Sequence, residues 1–588
     1  MLTAFDYLNI AFYFAFVIGV GLHFVRKSRD TSDYFRGGGA MPWWVAGASA
    51  FMAGFSAWTF TGAAGKIYDT GLYPIVLYYA NLGALAVLFF ATARRFRRMR
   101  VVTPLEAVRL RFGPGAQQFY TWMRLPIMVI FGGLGLNAVG VFMSAVFGVD
   151  LVAMLVLLGF VITLVSLLGG SFGVAASDFV QMLVVVMVAV VVSLLALAQP
   201  AVGGLPGLVE KLPARHFDWT EFTRPSFVLL WFLALSLGNV ISQNSMDNSA
   251  KYLMLSSDRD ARKMLLIPFV GAVLGPVIWF IPSLSAAVTH PDLGARFPAL
   301  PFPQEAAFLA TSEAVLPRGM LGLLICGIFA ATLTTLDASL NQSAGIFTRN
   351  FYLPVLRPAA SERRLLVVSK IATAAMGALI IGVAVFVAWL RATGRAGGLF
   401  DLITQVATSV MLPMSIPLFL GLYFRRTPAW STWTTVLLGL ALAGLVRFGL
   451  SPASISWIPG FAGPHLPEET TTFHIFATLF LVGPACVAWF FLTTLFYDRS
   501  PAAYREQVEE FFSRLRTPLD PASADVGRPD VGFLLTIGRL CLLYGSFIAL
   551  FGLVPNTPAG RLCFLLGGGA ISGIGGLLLL IYRPRPGT

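Results

Sequence analysis

The sequence predicts an all-α membrane protein that crosses the bilayer about 15 times. Its 588 residues are 57% apolar and only 12% charged, whereas soluble domains contain about 25% charged residues. The mean hydropathy is +0.78. Apolar runs of about 20 residues, the length that a spanning helix needs, recur along the whole chain. Between them lie short loops in which basic residues cluster, such as RRFRRMR at 94–100.

The loops between the runs also predict how the chain is oriented. The predicted spans cover residues 4–26, 42–66, 72–94, 118–147, 151–170, 173–199, 226–245, 262–288, 319–346, 364–391, 399–425, 428–450, 470–497, 531–553 and 560–582. With the N-terminus outside, and with basic residues at the span ends counted with the adjoining loop, the inside loops and tail hold 28 Lys and Arg residues and the outside loops hold 10. Because positive loops stay on the cytoplasmic side, we expect an outside N-terminus and a cytoplasmic C-terminus in a bacterial-type cell membrane.

The order of the runs divides the chain into three parts. Residues 1–41 are expected to form an extra helix and loop, since the first run is too long for a signal peptide and no cleavage site follows it. Residues 42–425 form a central core, and residues 426–588 form additional C-terminal helices. The C-terminal part contains the long hydrophilic stretch 498–530, whose middle predicts a short amphipathic helix on the inner face.

Several function classes find no support in the sequence. The net charge of +13 lies in loops between apolar runs, which argues against nucleic acid as a partner. The four cysteines fall in apolar spans, no CxxC occurs and the five histidines are scattered, so no structural metal site is expected. The chain has no GxxxxGK[ST] motif, which argues against an ATP-driven pump. A channel would need a symmetric or repeated selectivity filter, and an intramembrane hydrolase would need a nucleophile with a base or metal. The sequence shows neither pattern.

Two aspartates are predicted to lie inside spans. Asp178 is five residues into the span that starts at 173, and Asp337 is nine residues from the cytoplasmic end of 319–346. A carboxylate at the bilayer centre costs about 2.5–3.5 kcal/mol on insertion scales, so such residues usually face a cavity or a partner. The alternative is a neutral carboxyl bonded to a neighbour.

A stripe of small and hydroxyl residues runs beside Asp337. Ala331, Thr334, Thr335 and Ala338 follow the spacing of one helix face. A lone membrane threonine commonly bonds the carbonyl four residues earlier. Here two adjacent hydroxyls share a face that admits a second backbone, and such oxygens suit a hard cation such as Na⁺.

Two spans carry residues that weaken a helix in the membrane. The first is 42–66, with AGFSA at 53–57 in its middle, and the second is 226–245, which runs into GNVISQNSMDNSAK. Interrupted helices expose carbonyls and N–H groups, and they are tolerated where they line a binding site. Their positions predict two five-helix repeats of inverted topology, 42–199 and 226–425.

Five stretches, in order, resemble motifs of the sodium:solute symporter family, which includes sodium-coupled sugar, proline, pantothenate and sialic acid carriers. They are DYFRGGGAMPWW (33–44), TPLEAVRLRFG (103–113), GGSFGVAASDFVQ (169–181), AKYLMLSSDRDARK (250–263) and AATLTTLDASLN (330–341). The resemblance covers about residues 4–430. It implies a transporter with the five-plus-five inverted-repeat core of the amino acid-polyamine-organocation type and with discontinuous helices.

The resemblance also implies ion sites. The main Na⁺ site would use the carbonyls of Met52, Phe55 and Ala331 and the hydroxyls of Thr334 and Thr335. In some members of the family, residues that match Asp178, Thr334, Asp337 and Ala338 hold a second Na⁺. Here Asp337 stands where a hydroxyl is usual, and Ala338 has no hydroxyl. Asp178 and Asp337 therefore form a possible second cation site, or they share a proton.

The substrate pocket is expected near the bilayer midplane, beside the broken helix. Its candidate residues are Ser56, Trp58, Thr59, Asn81, Asn137, Gln243 and Gln405. Sugar carriers of the family resemble one another in having Glu-Gln where this chain has Trp58-Thr59, while Ser-small-Trp at 56–58 is similar to the proline-type carriers. An amino acid or a carboxylate is therefore favoured, and free helix N-termini at the break would favour an anionic group.

The leading hypothesis is sodium-coupled symport of a small organic solute by alternating access. The coupling ion is Na⁺, no organic cofactor is expected, and the partners are the solute, Na⁺ or H⁺ and the lipid bilayer. The alternatives are a proton-coupled symporter of the same fold and a transporter-like solute sensor, although sensors usually carry a soluble output domain. The sequence does not indicate an oligomeric state.

Overall fold

A computed structural model describes residues 2–25, 39–72, 74–168, 171–217, 225–395, 398–457, 467–519 and 530–583. These residues are helical apart from short loops, and within them the only β contact is an isolated bridge between Met41 and Leu255. The all-α prediction is confirmed. Of the motifs above, residues 33–38 and 169–170 lie outside the described residues.

The first half of the chain forms the outer N-terminal helix, the broken helix and four further long helices. In chain order its helices are α1 (Ala4–Val25), α2 (Trp43–Ala53), α3 (Ala64–Thr70), α4 (Ile75–Tyr79), α5 (Asn81–Val87), α6 (Ala93–Arg98), α7 (Pro104–Phe112), α8 (Pro114–Phe147), α9 (Leu151–Leu168), α10 (Ser171–Leu197), α11 (Gly204–Lys211) and α12 (Pro225–Gln243). Wider π-helical turns at Thr59–Ala63 and Leu88–Thr92 lead into α3 and α6.

The second half alternates short loop helices with long apolar ones. Its helices are α13 (Ala250–Leu253), α14 (Asp258–Lys263), α15 (Leu266–Thr289), α16 (Leu293–Arg296), α17 (Ala307–Val315), α18 (Met320–Gly345), α19 (Glu362–Ala392), α20 (Leu399–Val406), α21 (Leu412–Leu420), α22 (Ser431–Gly449), α23 (Pro467–Ala477), α24 (Gly483–Leu492), α25 (Ala502–Arg516), α26 (Val531–Leu550) and α27 (Pro558–Ile581). The predicted amphipathic helix in 498–530 is present as α25, which buries Tyr504, Phe511 and Phe512.

Eleven helices in the described part of the chain are long and apolar enough to cross a membrane, and each corresponds to one of the 15 predicted spans. The four other predicted spans are 42–66, 72–94, 151–170 and 226–245. The first two are divided into shorter helices, the third has an apolar helix of 17 residues, and the fourth begins beside the undescribed residues 218–224. The count of 15 and the inverted repeat stay predictions.

Helix α18 occupies the centre of the molecule. In its most apolar window 94% of the residues are buried, against 22% in α27 at the periphery. It packs against α1, α2, α8, α10 and α19, so it is surrounded by protein on all sides. A helix enclosed in this way has little contact with lipid. Its polar side chains, which lie between Thr332 and Ser343, therefore face other protein groups rather than lipid.

Candidate functional site

The break in span 42–66 lies where the sequence predicted it. Helix α2 ends at Ala53, residues 54–56 are not helical, and the helix resumes at Ala57. The N–H of Phe55 donates to the carbonyl of Met52 over 3.1 Å. The N–H of Ala57 donates to Oγ1 of Thr332 on α18 over 3.0 Å. A hydroxyl of the central helix thus satisfies a backbone donor that the break leaves free.

Thr335 connects the other side of the break to the same helix. Its Oγ1 lies 3.3 Å from the carbonyl oxygen of Ala53 and 3.1 Å from that of Ala331. Three oxygens from two helices therefore meet at the end of α2. The bond to Ala331 is the back-bond expected of any membrane threonine, but the approach to Ala53 is specific to the broken helix.

Thr334 makes a different contact. Its Oγ1 donates to Oδ1 of Asp178 on α10 over 2.7 Å and lies 3.0 Å from the carbonyl of Ala330. Both Thr334 and Asp178 are buried. Residues 334 and 335 are about 100° apart around a helix, so the two hydroxyls serve neighbouring but distinct groups. The sharing of one ion by Thr334 and Thr335 stays a prediction.

The second oxygen of Asp178 is held from α2. Its Oδ2 accepts a hydrogen bond from Ser49, and Oγ of Ser49 in turn accepts one from Nζ of Lys251 over 2.6 Å. Burial lowers the pKa of the Lys251 ammonium, and the negative charges of Asp178 and Asp337 oppose this effect. A cation on the loop helix α13 therefore reaches Asp178 through Ser49 and lines the same cavity as Asp337.

Asp337 lies on a cavity of about 260 Å³ beside this chain of bonds. Its Oδ1 accepts from Nδ2 of Asn341 over 3.0 Å. The cavity is lined by Ala53 and Lys251 as well as Asp337, and it extends to Thr103 and Pro104, next to the basic segment 94–100, most of which is helix α6. It therefore joins the broken helix to the face of the molecule that carries this basic segment.

An aromatic group stands on the opposite side of the break. The indole of Trp58 stacks on Phe400 at a centroid distance of 5.7 Å and on Tyr78 at 6.1 Å. The hydroxyl of Tyr78 donates to Oγ1 of Thr59 over 3.3 Å. In the described part of the chain, the buried indole N–H of Trp58 has no hydrogen-bond partner. Gly62 borders this edge of the ring, and a Cβ at that position would lie 2.8 Å from Nε1.

Two other candidate residues pair beside this aromatic group. Nε2 of Gln243 donates to Oδ1 of Asn81 over 2.6 Å. Nδ2 of Asn81 donates to the carbonyl of Tyr78 over 3.2 Å. The structure thus brings Trp58, Thr59, Asn81 and Gln243 together around Tyr78.

Asn137 belongs to a separate buried network. Its Oδ1 accepts from Nη1 of Arg391 over 2.8 Å, and its Nδ2 donates to the carbonyl of Ala384 over 3.1 Å. Nη2 of Arg391 lies 2.7 Å from Oε2 of Glu305, and the two side chains are only 0% and 4% exposed. The other oxygen of Glu305 accepts from the N–H of Leu399 over 3.1 Å, at the start of α20.

The structure leaves two predicted substrate residues without a specific role. Ser56 and Gln405 are half-buried, the first in the break and the second on α20 with Phe400. Five residues of these networks are not among the site residues predicted from the sequence: Ser49, Lys251, Glu305, Arg391 and Thr332. Only Lys251 and Thr332 lay in stretches that the motifs had marked, so only these two carried a signal in the sequence.

Comparison with known proteins gives consistent matches. A family model described as the sodium:solute symporter family matches residues 34–439. The chain is 23% identical to the sodium/sialic acid symporter SiaT of Proteus mirabilis, over 76% of this chain and 90% of that protein. It is 24% identical to the sodium/sialic acid symporter NanT of Aliivibrio fischeri, over 75% and 87%. It is 27% identical to the sodium/myo-inositol cotransporter 2 of Mus musculus, over 75% and 69%.

A solved structure shows the same fold. The structure of a Na⁺-coupled sialic acid symporter, in a substrate-bound outward-open state, superposes with a TM-score of 0.67. The match covers 85% of this chain and 98% of the other, at 19% sequence identity.

Proposed function

This chain belongs to the sodium:solute symporter family, and from that premise we propose that it carries a small organic solute with an anionic group, an amino acid or another carboxylate, together with Na⁺. The family consists of sodium-coupled membrane transporters, so the protein is not an enzyme. The observation that carries the ion site is the meeting of the Thr335 hydroxyl with the carbonyls of Ala53 and Ala331 at the broken helix. Hydroxyl and carbonyl oxygens are suitable ligands for a hard cation.

We assign the main Na⁺ site to Met52, Phe55, Ala331, Thr334 and Thr335. An ion there would contact both α2 and α18. It would therefore bind more tightly when the two helices are close together, and it would shift the protein toward that conformation. The cavity beside Ala53 and Asp337 supplies an exit route to the face with the basic segment 94–100. Release of Na⁺ through it would loosen the contact between α2 and α18.

The proposed solute class rests on the aromatic group. The buried N–H of Trp58 lacks an acceptor among the described residues, and an unpaired buried donor costs about 1–3 kcal/mol. A carboxylate would supply the acceptor in a charge-assisted bond. Two of the relatives are sialic acid symporters, and sialic acids are carboxylates, whereas the myo-inositol relative carries a neutral polyol.

Uptake into proteoliposomes tests the proposal as a whole. The solute panel contains sialic acid, proline, pantothenate, glucose and myo-inositol, and the Na⁺ and pH gradients are imposed separately. We expect uptake of an anionic or zwitterionic solute driven by the Na⁺ gradient alone. Uptake that follows the pH gradient and ignores Na⁺ would favour the proton-coupled alternative, for which Asp178 and Asp337 would be the candidate proton site.

Thr335→Ala is expected to raise the Na⁺ concentration for half-maximal uptake about tenfold, which corresponds to about 1.4 kcal/mol of ion binding. The substitution removes one oxygen from the ion and leaves the helix intact. Thr163→Ala is the matched control, because that half-buried hydroxyl also bonds the carbonyl four residues earlier, at Gly159. Equal Na⁺ dependence in the two variants would remove Thr335 from the site.

Trp58→Phe is expected to raise the KM for the anionic solute about tenfold while the maximal rate stays close to wild type. Phenylalanine keeps an aromatic ring against Phe400 and Tyr78 but has no N–H. A lost hydrogen bond to a charged group is worth about 1.5–3 kcal/mol. Trp389→Phe is the control, since that ring is exposed and stacks on Phe386. A KM unchanged in Trp58→Phe would contradict the role of the indole N–H.

A further inference from the structure

Lys251 is a cation built into the region where two buried carboxylates lie. It belongs to α13, a one-turn helix outside the predicted spans, yet its side chain crosses to α2 and reaches Ser49. Ser49 is fully buried, and its hydroxyl also contacts Oδ2 of Asp178. A hydroxyl has one proton to donate and lone pairs to accept with. The direction of the bonds is therefore from the ammonium to Ser49 and from Ser49 to the carboxylate.

Lys251 lies among several charged side chains. Asp178 and Asp337 are both buried; Asp178 is joined to Lys251 through Ser49, and Asp337 lines the same cavity as Lys251. Asp247 also faces the 260 Å³ cavity, but its carboxylate pairs with Arg124 over 2.6 Å. Arg124 thus neutralises Asp247, which leaves Lys251 as the one cationic side chain lining that cavity in the part of the chain that the structure describes.

The oxygens of Asp178 are also already engaged. Oδ1 accepts from Thr334 over 2.7 Å and Oδ2 accepts from Ser49. A buried carboxylate needs either a bound cation or hydrogen bonds together with a nearby positive charge. Here two hydroxyls and the lysine supply both. A mobile cation at Asp178 would have to compete with a charge that is covalently attached to the chain.

We propose that Lys251 acts as a tethered cation that takes the place of a second Na⁺ ion beside Asp178 and Asp337, so that the protein binds and moves one Na⁺ per solute. The inference rests on the proposed Na⁺-coupled function and deepens it by setting the ion stoichiometry. Lys251 is a positioning residue, since it acts through Ser49 on Asp178. The remaining Na⁺ binds at the break, in the main site assigned above to Met52, Phe55, Ala331, Thr334 and Thr335.

Binding of radiolabelled Na⁺ to the purified full-length protein in detergent tests this directly and requires no solute. Wild type is expected to bind one ion per chain. Lys251→Met keeps a chain of similar length without the charge, and it is expected to bind two, because Asp178 and Asp337 then lack their cation. Lys251→Arg, which restores the charge, and Lys370→Met, at an exposed lysine on α19, are both expected to bind one.

The outcomes separate the inference from the function on which it rests. Two ions per wild-type chain, or one ion with unchanged affinity in Lys251→Met, would overturn the tethered cation alone. A wild-type chain that binds no Na⁺ would overturn the proposed function as well. If Lys251→Met does not fold, the wild-type stoichiometry still decides, since a second bound ion is incompatible with the proposal.

Discussion

Arg391→Met is expected to destabilise the protein by about 3–5 kcal/mol, the usual cost of removing one partner from a buried ion pair. The cost arises because Glu305, only 4% exposed, keeps its charge without a cation 2.7 Å away. Asn137 loses a donor at the same time. The measurement is thermal unfolding of the purified protein, with unfolding free energies where the transition is reversible.

The same substitution is expected to reduce solute uptake, because the ion pair positions α20. The second carboxylate oxygen of Glu305 accepts the N–H of Leu399, the first residue of that helix. The next residue is Phe400, which stacks on Trp58. Loss of the guanidinium therefore loosens the aromatic group that we assign to the substrate.

A double-mutant cycle distinguishes the ion pair from simple loss of packing. Arg391→Met combined with Glu305→Gln removes both charges, so the pair of substitutions is expected to cost less than the sum of the two single ones. Arg395→Met is the control for the lost side chain, because Arg395 is exposed and lies over the ring of Trp389. Strict additivity in the cycle would show that the two charges do not interact.

Asp178→Asn is expected to lower uptake at least tenfold and to destabilise the protein by about 3–5 kcal/mol. The amide is nearly isosteric, so the shape of the site is kept while the charge is removed. Ser49 and Thr334 each donate to a carboxylate oxygen, and an amide can accept only one of them well. The ammonium of Lys251 loses one of its two anions.

Adding Lys251→Met to Asp178→Asn removes both members of one charge pair, so the double variant is expected to lose less stability than the sum of the two single variants. Asp150→Asn is the matched control: Asp150 is exposed and accepts the N–H of Ala153 at the start of α9, a position that asparagine fills equally well. Thermal unfolding and uptake are measured for each variant. If the stability losses of the two single variants simply add in the double variant, Lys251 and Asp178 are not electrostatically coupled.

The sequence by itself predicted the helices and the position of the break. Spanning helices are visible because each must bury a whole length of apolar side chains in lipid, so the signal is local and about 20 residues long. The break at 54–56 was also visible, since Gly54 weakens a helix at its own position. Among the residues that the structure describes, eleven of the predicted spans are present as long apolar helices.

The partners of the polar side chains were not predictable from sequence. The sequence predicts that the hydroxyls of Thr334 and Thr335 act as one pair. In the structure α10 and α2 approach α18 from different directions, so Thr334 contacts Asp178 and Thr335 contacts Ala53. Asn137 is predicted from the sequence as a substrate residue, yet its side chain accepts a hydrogen bond from Arg391. Each of these contacts depends on which helix lies alongside.

The sequence therefore determined that this protein is a bundle of membrane helices with buried aspartates and an interrupted helix. Hydropathy and helix propensity are properties of a single helix and depend only on residues that are consecutive in the sequence. Only the tertiary structure decided that Lys251 stands beside Asp178 through Ser49 and that Glu305 meets Arg391. Lys251 and Ser49 are 202 positions apart in the sequence, and Glu305 and Arg391 are 86 apart. Contacts between residues so far apart in the sequence depend on how the helices pack, and a local sequence pattern does not predict them.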